Sequence, residues 1–178
     1  IGTLEPWSLS QKKYKKKIAW NLYQKKILKT ADLIHATSDI EAENLKKLQI
    51  NPKIQIIGHG IDIDEKNKLK IKKNKIKKLI FFSRIHYKKG LLELIDIWSN
   101  IRNNKAWVLE IYGPVSDVFY LNKIKKKIKE LNLEKSVFYR GAVFSYSEKK
   151  KIFENADGFI LPSKSENFGI SIGEALSY

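Results

Sequence analysis

The sequence predicts an α/β fold in which a parallel sheet is covered on both faces. Short runs of β-branched and aromatic residues recur through the second half of the chain: K-L-I-F-F-S, W-V-L-E-I-Y, V-F-Y-R and G-F-I-L-P. Between them lie stretches with the apolar spacing of amphipathic helices. Strands that alternate with helices, and are apolar along most of their length, belong to sheets buried on both sides.

Taken in order, residues 10–30 predict a basic amphipathic helix. Tyr14, Ile18 and Leu22 follow i, i+4 spacing, with Tyr23 and Ile27 beside them and lysines filling the rest. Two readings stay open: a surface helix packing that face on its own domain, or an interfacial helix lying on acidic lipid. A strand follows at 32–37, then a helix with Ser38 as N-cap and Glu41 as its capping-box partner. A second strand, 54–57, ends in Gly58-His59-Gly60. Residues 62–78 are nearly all charged or amide, bury little, and predict a linker. The expected organisation is a first lobe over 1–61, a lysine-rich linker over 62–77 and a second lobe over 78–178.

In the second lobe, strand 78–83 precedes a glycine-opened helix from Gly90 to Arg102, and strand 107–112 precedes a helix over 117–131. Strand 137–140 leads to helix 147–154, and strand 158–162 to a helix starting near Gly169. This is a Rossmann-like half, in which ligands sit outside the carboxyl ends of the strands. Function is therefore sought after residues 83, 112, 140 and 162.

Composition narrows the classes. With no cysteine there are no disulfides, thiolate metal sites or cysteine nucleophiles. No apolar run approaches the roughly 20 residues needed to span a bilayer, and nothing at the start resembles a secretory signal. A cytoplasmic location is expected, with a peripheral place on the inner face of the membrane as its variant. The chain starts at Ile1 without any methionine, and reads as a fragment. Lys plus Arg number 35 against 19 Asp plus Glu, a formal charge of +16. That excess attracts polyanions, but Arg84, Arg102 and Arg140 are the only arginines. Readers of base edges lean on arginine's planar fork. A solvated lysine surface, a membrane-facing patch and a basic nucleic-acid-binding protein are the three readings of this charge. The scarcity of arginine and the lack of a nucleic-acid motif count against the last.

Two strand-end segments hold unusual chemistry. In S-R-I-H-Y-K-K-G, Arg84 and Lys89 flank a turn into a helix, where both could meet one anion beside the helix's unpaired amides. The plainer reading is two more cations in a lysine-rich protein. In S-E-N-F-G-I-S-I-G-E-A-L, Glu166 lies in a loop and Glu174 on the following helix, with Phe168-Gly169 at the helix entrance. Paired carboxylates accept hydrogen bonds from hydroxyl pairs, and glycine lets a ligand approach the backbone. An ordinary loop and amphipathic helix is the alternative.

E-N-F-G-I-S-I-G-E resembles the E-x-F-G-x-x-x-x-E signature of retaining GT-B glycosyltransferases, the group 1/family 4 superfamily. S-R-I-H-Y-K-K-G, V-F-Y-R-G-A-V and D-G-F-I-L-P-S are similar to that family's other strand-end segments, in its order, over residues 54–178. The front segment, from L-E-P-W-S-L to L-I-H-A-T-S, is similar to the later part of the N-terminal lobe in members that build cell-surface polysaccharides. The resemblance implies the GT-B C-terminal lobe preceded by the end of the N-terminal lobe, truncated at both ends. It implies a retaining hexosyltransferase that uses a nucleotide-diphosphate sugar donor and a polysaccharide or lipid-linked acceptor, with no cofactor and no essential metal. Arg84 and Lys89 would hold the diphosphate, Glu166 the transferred sugar and Glu174 the ribose. These cations and Glu166 would form the catalytic set, and the backbone at Phe168, Gly169 and Ile170 would face the phosphate and sugar. A donor-binding module without turnover is the alternative, because the first half of the N-terminal lobe is missing.

Some features depart from the family pattern. Gly58-His59-Gly60 stands near the place of a usual Pro-Asn-Gly. Asp62-Ile63-Asp64 spells a metal-binding D-x-D but sits before the linker, and reads as a chance match. His86 is close enough in sequence to Arg84 and Lys89 to approach phosphate, whereas His35 is expected to be packed.

Overall fold

A computed structural model describes residues 13–51, 53–61, 75–101, 106–166 and 168–178. The L-E-P-W-S-L segment, the D-x-D, Arg102 and most of the expected linker lie outside the described residues. The chain groups into two units: Ile1–Ile61 with Ser165–Ile170, and Asp62–Lys164 with Ser171–Tyr178.

In the first unit, helix α1 runs through Lys13–Ala19, a π-helical turn at Trp20–Gln24, and Lys25–Thr30. The Lys25 amide donates to the Trp20 carbonyl, five residues back. That wider turn brings i and i+5 into line. It explains why the apolar positions step from 14, 18 and 22 to 23 and 27: the extra residue keeps them on one stripe. The stripe does not pack on the rest of the unit. Tyr14 is 87% exposed, Ile18 60% and Leu22 73%, with Tyr23 and Ile27 also exposed. Contact is made from another side, where Leu28 and Ala31 meet the buried cluster Ile34, Ala36, Ala42 and Leu45. The expectation of a helix packed through its Tyr14–Ile27 face is therefore corrected. Asn51 donates its side-chain amide to the carbonyls of Leu28 and Ala31, at 3.3 and 2.6 Å, near the end of the helix.

Strand β1 (Ile34–Ala36) pairs in parallel with β2 (Ile54–Ile56). Between them α2 (Asp39–Lys47) is capped by Ser38, whose hydroxyl accepts from the Glu41 amide at 3.2 Å. The Glu41 carboxylate accepts from the amide and hydroxyl of Thr37, one residue before the cap. His35 is exposed on the strand, with Nε2 2.7 Å from the Ile57 carbonyl. Its neighbours Ile34 and Ala36 are buried, so strand alternation turns His35 outward, and it is not packed as expected.

The second unit holds the expected parallel sheet. Its strands are β3 (Lys77–Phe82), β4 (Trp107–Tyr112), β5 (Val137–Gly141) and β6 (Gly158–Phe159). Their order is β5-β4-β3-β6, all parallel. Parallel neighbours need crossover connections. These contain α3 (Leu91–Asn100) after β3, α4 (Val118–Glu130) after β4 and α5 (Tyr146–Glu154) after β5; α6 (Ile170–Leu176) comes after β6.

On one face, Phe81, Leu109, Ile111 and Val137 pack with Leu94, Ile95 and Trp98 of α3 and Leu121, Ile124 and Ile128 of α4. On the other, Phe153 of α5 stacks near Phe82, Phe159 and Tyr178. Glu110 is buried on β4 among these apolar strands. Its Oε1 accepts from Arg140 Nη2 and Nε at 2.7 and 3.1 Å, and its Oε2 accepts from Tyr112 at 2.9 Å.

Candidate functional site

The segment leaving β3 is held by β4's extension. The Ser83 amide donates to the Tyr112 carbonyl at 3.0 Å, and the Ile85 amide to the Pro114 carbonyl at 2.8 Å. Ile85 is fully buried and bridges Val115 in parallel. Neighbours in an extended segment point to opposite sides. Burying Ile85 therefore turns Arg84 outward, and its guanidinium makes no hydrogen bond or ion pair with another described residue.

His86 then caps a 3₁₀ turn, Tyr87–Lys89, with Nδ1 accepting from the Lys88 amide at 3.2 Å. Burial holds the His86 pKa below its ordinary value, and the charges of Arg84, Lys88 and Lys89 push the same way against Asp117. The ring is therefore neutral at neutral pH, as an accepting Nδ1 requires. Lys89 is half-buried on the turn, and Gly90, at φ 71°, opens α3.

The strand β6 side comes to the same turn. The Lys164 amide donates to the Lys88 carbonyl at 2.9 Å. Lys164 Nζ lies 2.8 Å from Glu93 in the first turn of α3. A Cβ on Gly90 would stand 2.2 Å from the Pro162 carbonyl oxygen, so backbone passes directly over the glycine. Between these anchors the Ser163 hydroxyl is buried, with no hydrogen-bond partner among the described residues. The carboxyl ends of β3 and β6 are thus tied together around Lys88–Gly90, with Arg84 exposed just upstream.

The expected acids are placed differently. Glu174 is half-buried on α6 and its Oε1 pairs with Lys149 of α5 at 2.5 Å. Glu166 is exposed in the loop before α6. Phe168 is 39% exposed, Gly169 is buried at φ 72°, and Ile170 opens the helix half-exposed. Glu166, Phe168, Gly169 and Ile170 belong to the first unit, whereas Arg84, Lys89 and Glu174 belong to the second.

Sequence reasoning passed over Lys149, which sits in a Lys149-Lys150-Lys151 run where nothing marks one lysine from the next. It also passed over the Lys164–Glu93 tie, which joins residues 71 apart in the sequence. Among the described residues no group of three or more His, Asp or Glu is placed to hold a metal ion. No described helix is long and apolar enough to cross a membrane.

Comparison with known proteins places the chain. The family model for glycosyl transferases group 1 matches residues 62–178. The chain belongs to this family. No curated protein matches it. Among solved structures, Anabaena Alr3699/HepE in complex with UDP and glucose is similar at TM-score 0.75 and 21% identity, covering 98% of this chain and 48% of that one. The lipopolysaccharide outer core galactosyltransferase WaaB is similar at TM-score 0.63 and 22% identity, covering 83% of this chain and 41% of that one. A mutant of S. aureus TarM, in complex with fondaparinux, alpha-GlcNAc-glycerol and UDP, is similar at TM-score 0.69 and 22% identity, covering 93% and 31%. At these identities the likeness is one of fold, that of GT-B glycosyltransferases. The chain spans less than half the length of each.

Proposed function

We propose that the chain is the donor-binding part of a glycosyltransferase that takes a hexose from a nucleotide diphosphate and passes it on with retention. The observation that carries this reading is the strand-end construction: Arg84 is exposed between two backbone anchors, and Lys89 sits on the turn that Pro162–Lys164 overlies. A sugar leaving a diphosphate leaves charge on the phosphate oxygens. Fixed cations at that point stabilise the transition state more than the ground state. Arg84 would fork onto the diphosphate and Lys89 add a point charge, so that no metal or other cofactor is needed to meet that charge. Glu166 would accept from hydroxyls of the transferred sugar, with the backbone at Phe168, Gly169 and Ile170 beside it. Lys149 takes Oε1 of Glu174, which leaves Oε2 to accept from the ribose.

The proposed acceptor is a cell-surface polysaccharide or lipid-linked glycan, such as a lipopolysaccharide precursor, and the proposed location is cytoplasmic. The likeness to WaaB, a lipopolysaccharide outer core galactosyltransferase, supports that class. A peripheral contact with anionic membrane is supported by α1. Its exposed Tyr14, Ile18 and Leu22 lie among lysines, with no acid between Glu5 and Asp32. Co-sedimentation with phosphatidylglycerol vesicles, lost on replacing Ile18 and Leu22 by serine, is the expected result. Sedimentation unchanged by that pair, or none by the wild type, removes the membrane from the reading.

Calorimetric titration of the chain with UDP, GDP and ADP tests the donor site. Arg84→Ala and Glu174→Ala should each weaken the preferred diphosphate at least several-fold, with binding unaffected by EDTA. Unchanged affinity in both variants would remove the assignment. The chain covers 48% of HepE, which favours a second reading for these residues by themselves: donor binding without turnover. Binding of an activated sugar with neither hydrolysis nor transfer distinguishes it.

A further inference from the structure

Gly58-His59-Gly60 departs from the family's usual sequence, and the proposed function gives it no role. In the structure it meets the E-N-F-G loop. The rings of His59 and Phe168 lie 5.4 Å apart at 76°, an edge-to-face pair. A Cβ on Gly58 would stand 3.4 Å from Phe168 Cε2, so the phenyl ring rests over that glycine as well. Ser165–Ile170 groups with the residues up to Ile61, although the chain on either side of it belongs to the second unit.

We propose that His59 is a positioning residue for the donor, holding Phe168 and through it the left-handed turn at Gly169. This rests on the donor-site reading above. Phe168 is still 39% exposed, so it is no core side chain fixed on all sides. Gly169 follows it in the left-handed region, where the chain turns into α6. Whatever fixes the Phe168 ring therefore fixes the direction in which the neighbouring amides enter that turn. A contact that acts before the ligand arrives lowers the ordering cost of binding. An imidazole makes such a ring contact while His59 remains half-exposed.

The test titrates wild type with UDP, GDP and ADP by calorimetry, repeats the titration of whichever binds best on His59→Ala and His59→Phe, and records thermal midpoints without ligand. An aromatic pair supports an effect on the order of three- to ten-fold in affinity. His59→Ala should lose that much, while His59→Phe, which keeps a ring edge, should return to within about two-fold of wild type. A merely structural role would lower the thermal midpoint of His59→Ala and leave its affinity for that diphosphate unchanged, overturning the proposal. It is also overturned if His59→Phe binds as weakly as His59→Ala, because then the ring contact is not what matters. Should His59→Ala fail to fold, His59→Leu fills the space without a ring and is judged by the same comparison. If the wild type binds none of UDP, GDP and ADP, the donor-site reading falls and this proposal with it. Wild-type binding matched by every variant sinks this proposal alone.

Discussion

Gly90→Ala should destabilise the second unit by about 2–5 kcal/mol, from two separable causes. At φ 71° an alanine sits in the left-handed region, which costs a residue with a Cβ about 1–2 kcal/mol. The new methyl would also stand 2.2 Å from the Pro162 carbonyl oxygen, and that backbone must move, adding overpacking strain of about 1–3 kcal/mol. Two other glycines separate the causes. Gly141 is at φ 95° with nothing within 4 Å, so Gly141→Ala should carry the torsional cost alone. Gly60 has neither the positive φ nor a neighbour within 4 Å, and Gly60→Ala should be nearly neutral. Urea midpoints at unchanged slope read the series. If Gly90→Ala costs no more than Gly141→Ala, the Pro162 approach is not limiting. If Gly90→Ala does cost more, UDP affinity should fall too, because Pro162–Lys164 is built onto the turn that carries Lys89.

This glycine shows how far the sequence could be read. Its place before a helix was legible, because a glycine after two lysines interrupts the apolar spacing and opens the next periodic stretch. The reason that only glycine fits was not, because Pro162 is 72 residues away and no local pattern records a backbone crossing. The strands were legible to within a residue at several ends, β4 at both, because an apolar run between polar turns has few other places to go. Strand β6 was overread: it pairs only at Gly158–Phe159, although the apolar residues continue to Pro162. There the last backbone bond to β3 runs from the Ile160 amide to the Ile80 carbonyl, and the apolar residues serve packing against the core and the crossing over Gly90.

Helix α1 shows the opposite limit. Its stripe of Tyr14, Ile18, Leu22, Tyr23 and Ile27 was plain, but periodicity gives the direction of an apolar face and not what lies against it. At the candidate site, the cations and acids stood out through family resemblance. Spacing alone could not tell Arg84 and Lys89 from the surrounding lysine surplus. Nor could it show that Lys149 would meet Glu174.

Glu110 was also in plain view, a carboxylate in the middle of W-V-L-E-I-Y, a run that the sequence reads as buried. A buried charge needs partners, and it has them in Arg140, Tyr112 and, at 4.0 Å, Lys78. Burial acts to raise the Glu110 pKa, but the hydrogen bonds from Arg140 and Tyr112 and the charges of Lys78 and Arg140 outweigh it, so the carboxyl lies below its ordinary range. Burial, and next the bond to Glu110, raise the Tyr112 phenol. Removing Arg140 leaves the carboxylate buried without its main partner. Breaking buried pairs costs about 3–5 kcal/mol. Arg140 is itself 46% exposed, so its share is discounted, and Arg140→Ala should lose about 2–3 kcal/mol at pH 7.

The pH dependence distinguishes this from lost packing of the guanidinium on Phe138. A folded pKa below the unfolded value, about 4.3 for glutamate, gives stability that is present above that value and lost as pH falls through the folded one. In Arg140→Ala the largest cause that lowers the Glu110 pKa is gone, so that pKa moves up and protonation comes sooner. Once Glu110 is protonated, its missing cation matters little. The stability gap between wild type and Arg140→Ala should therefore be wide at pH 7 and narrow as the pH is lowered to about 4 and below. A gap of the same size at both pH values would assign the loss to packing. Replacing both partners by leucine should recover much of it at pH 7, because neither charge then has to be kept out of water.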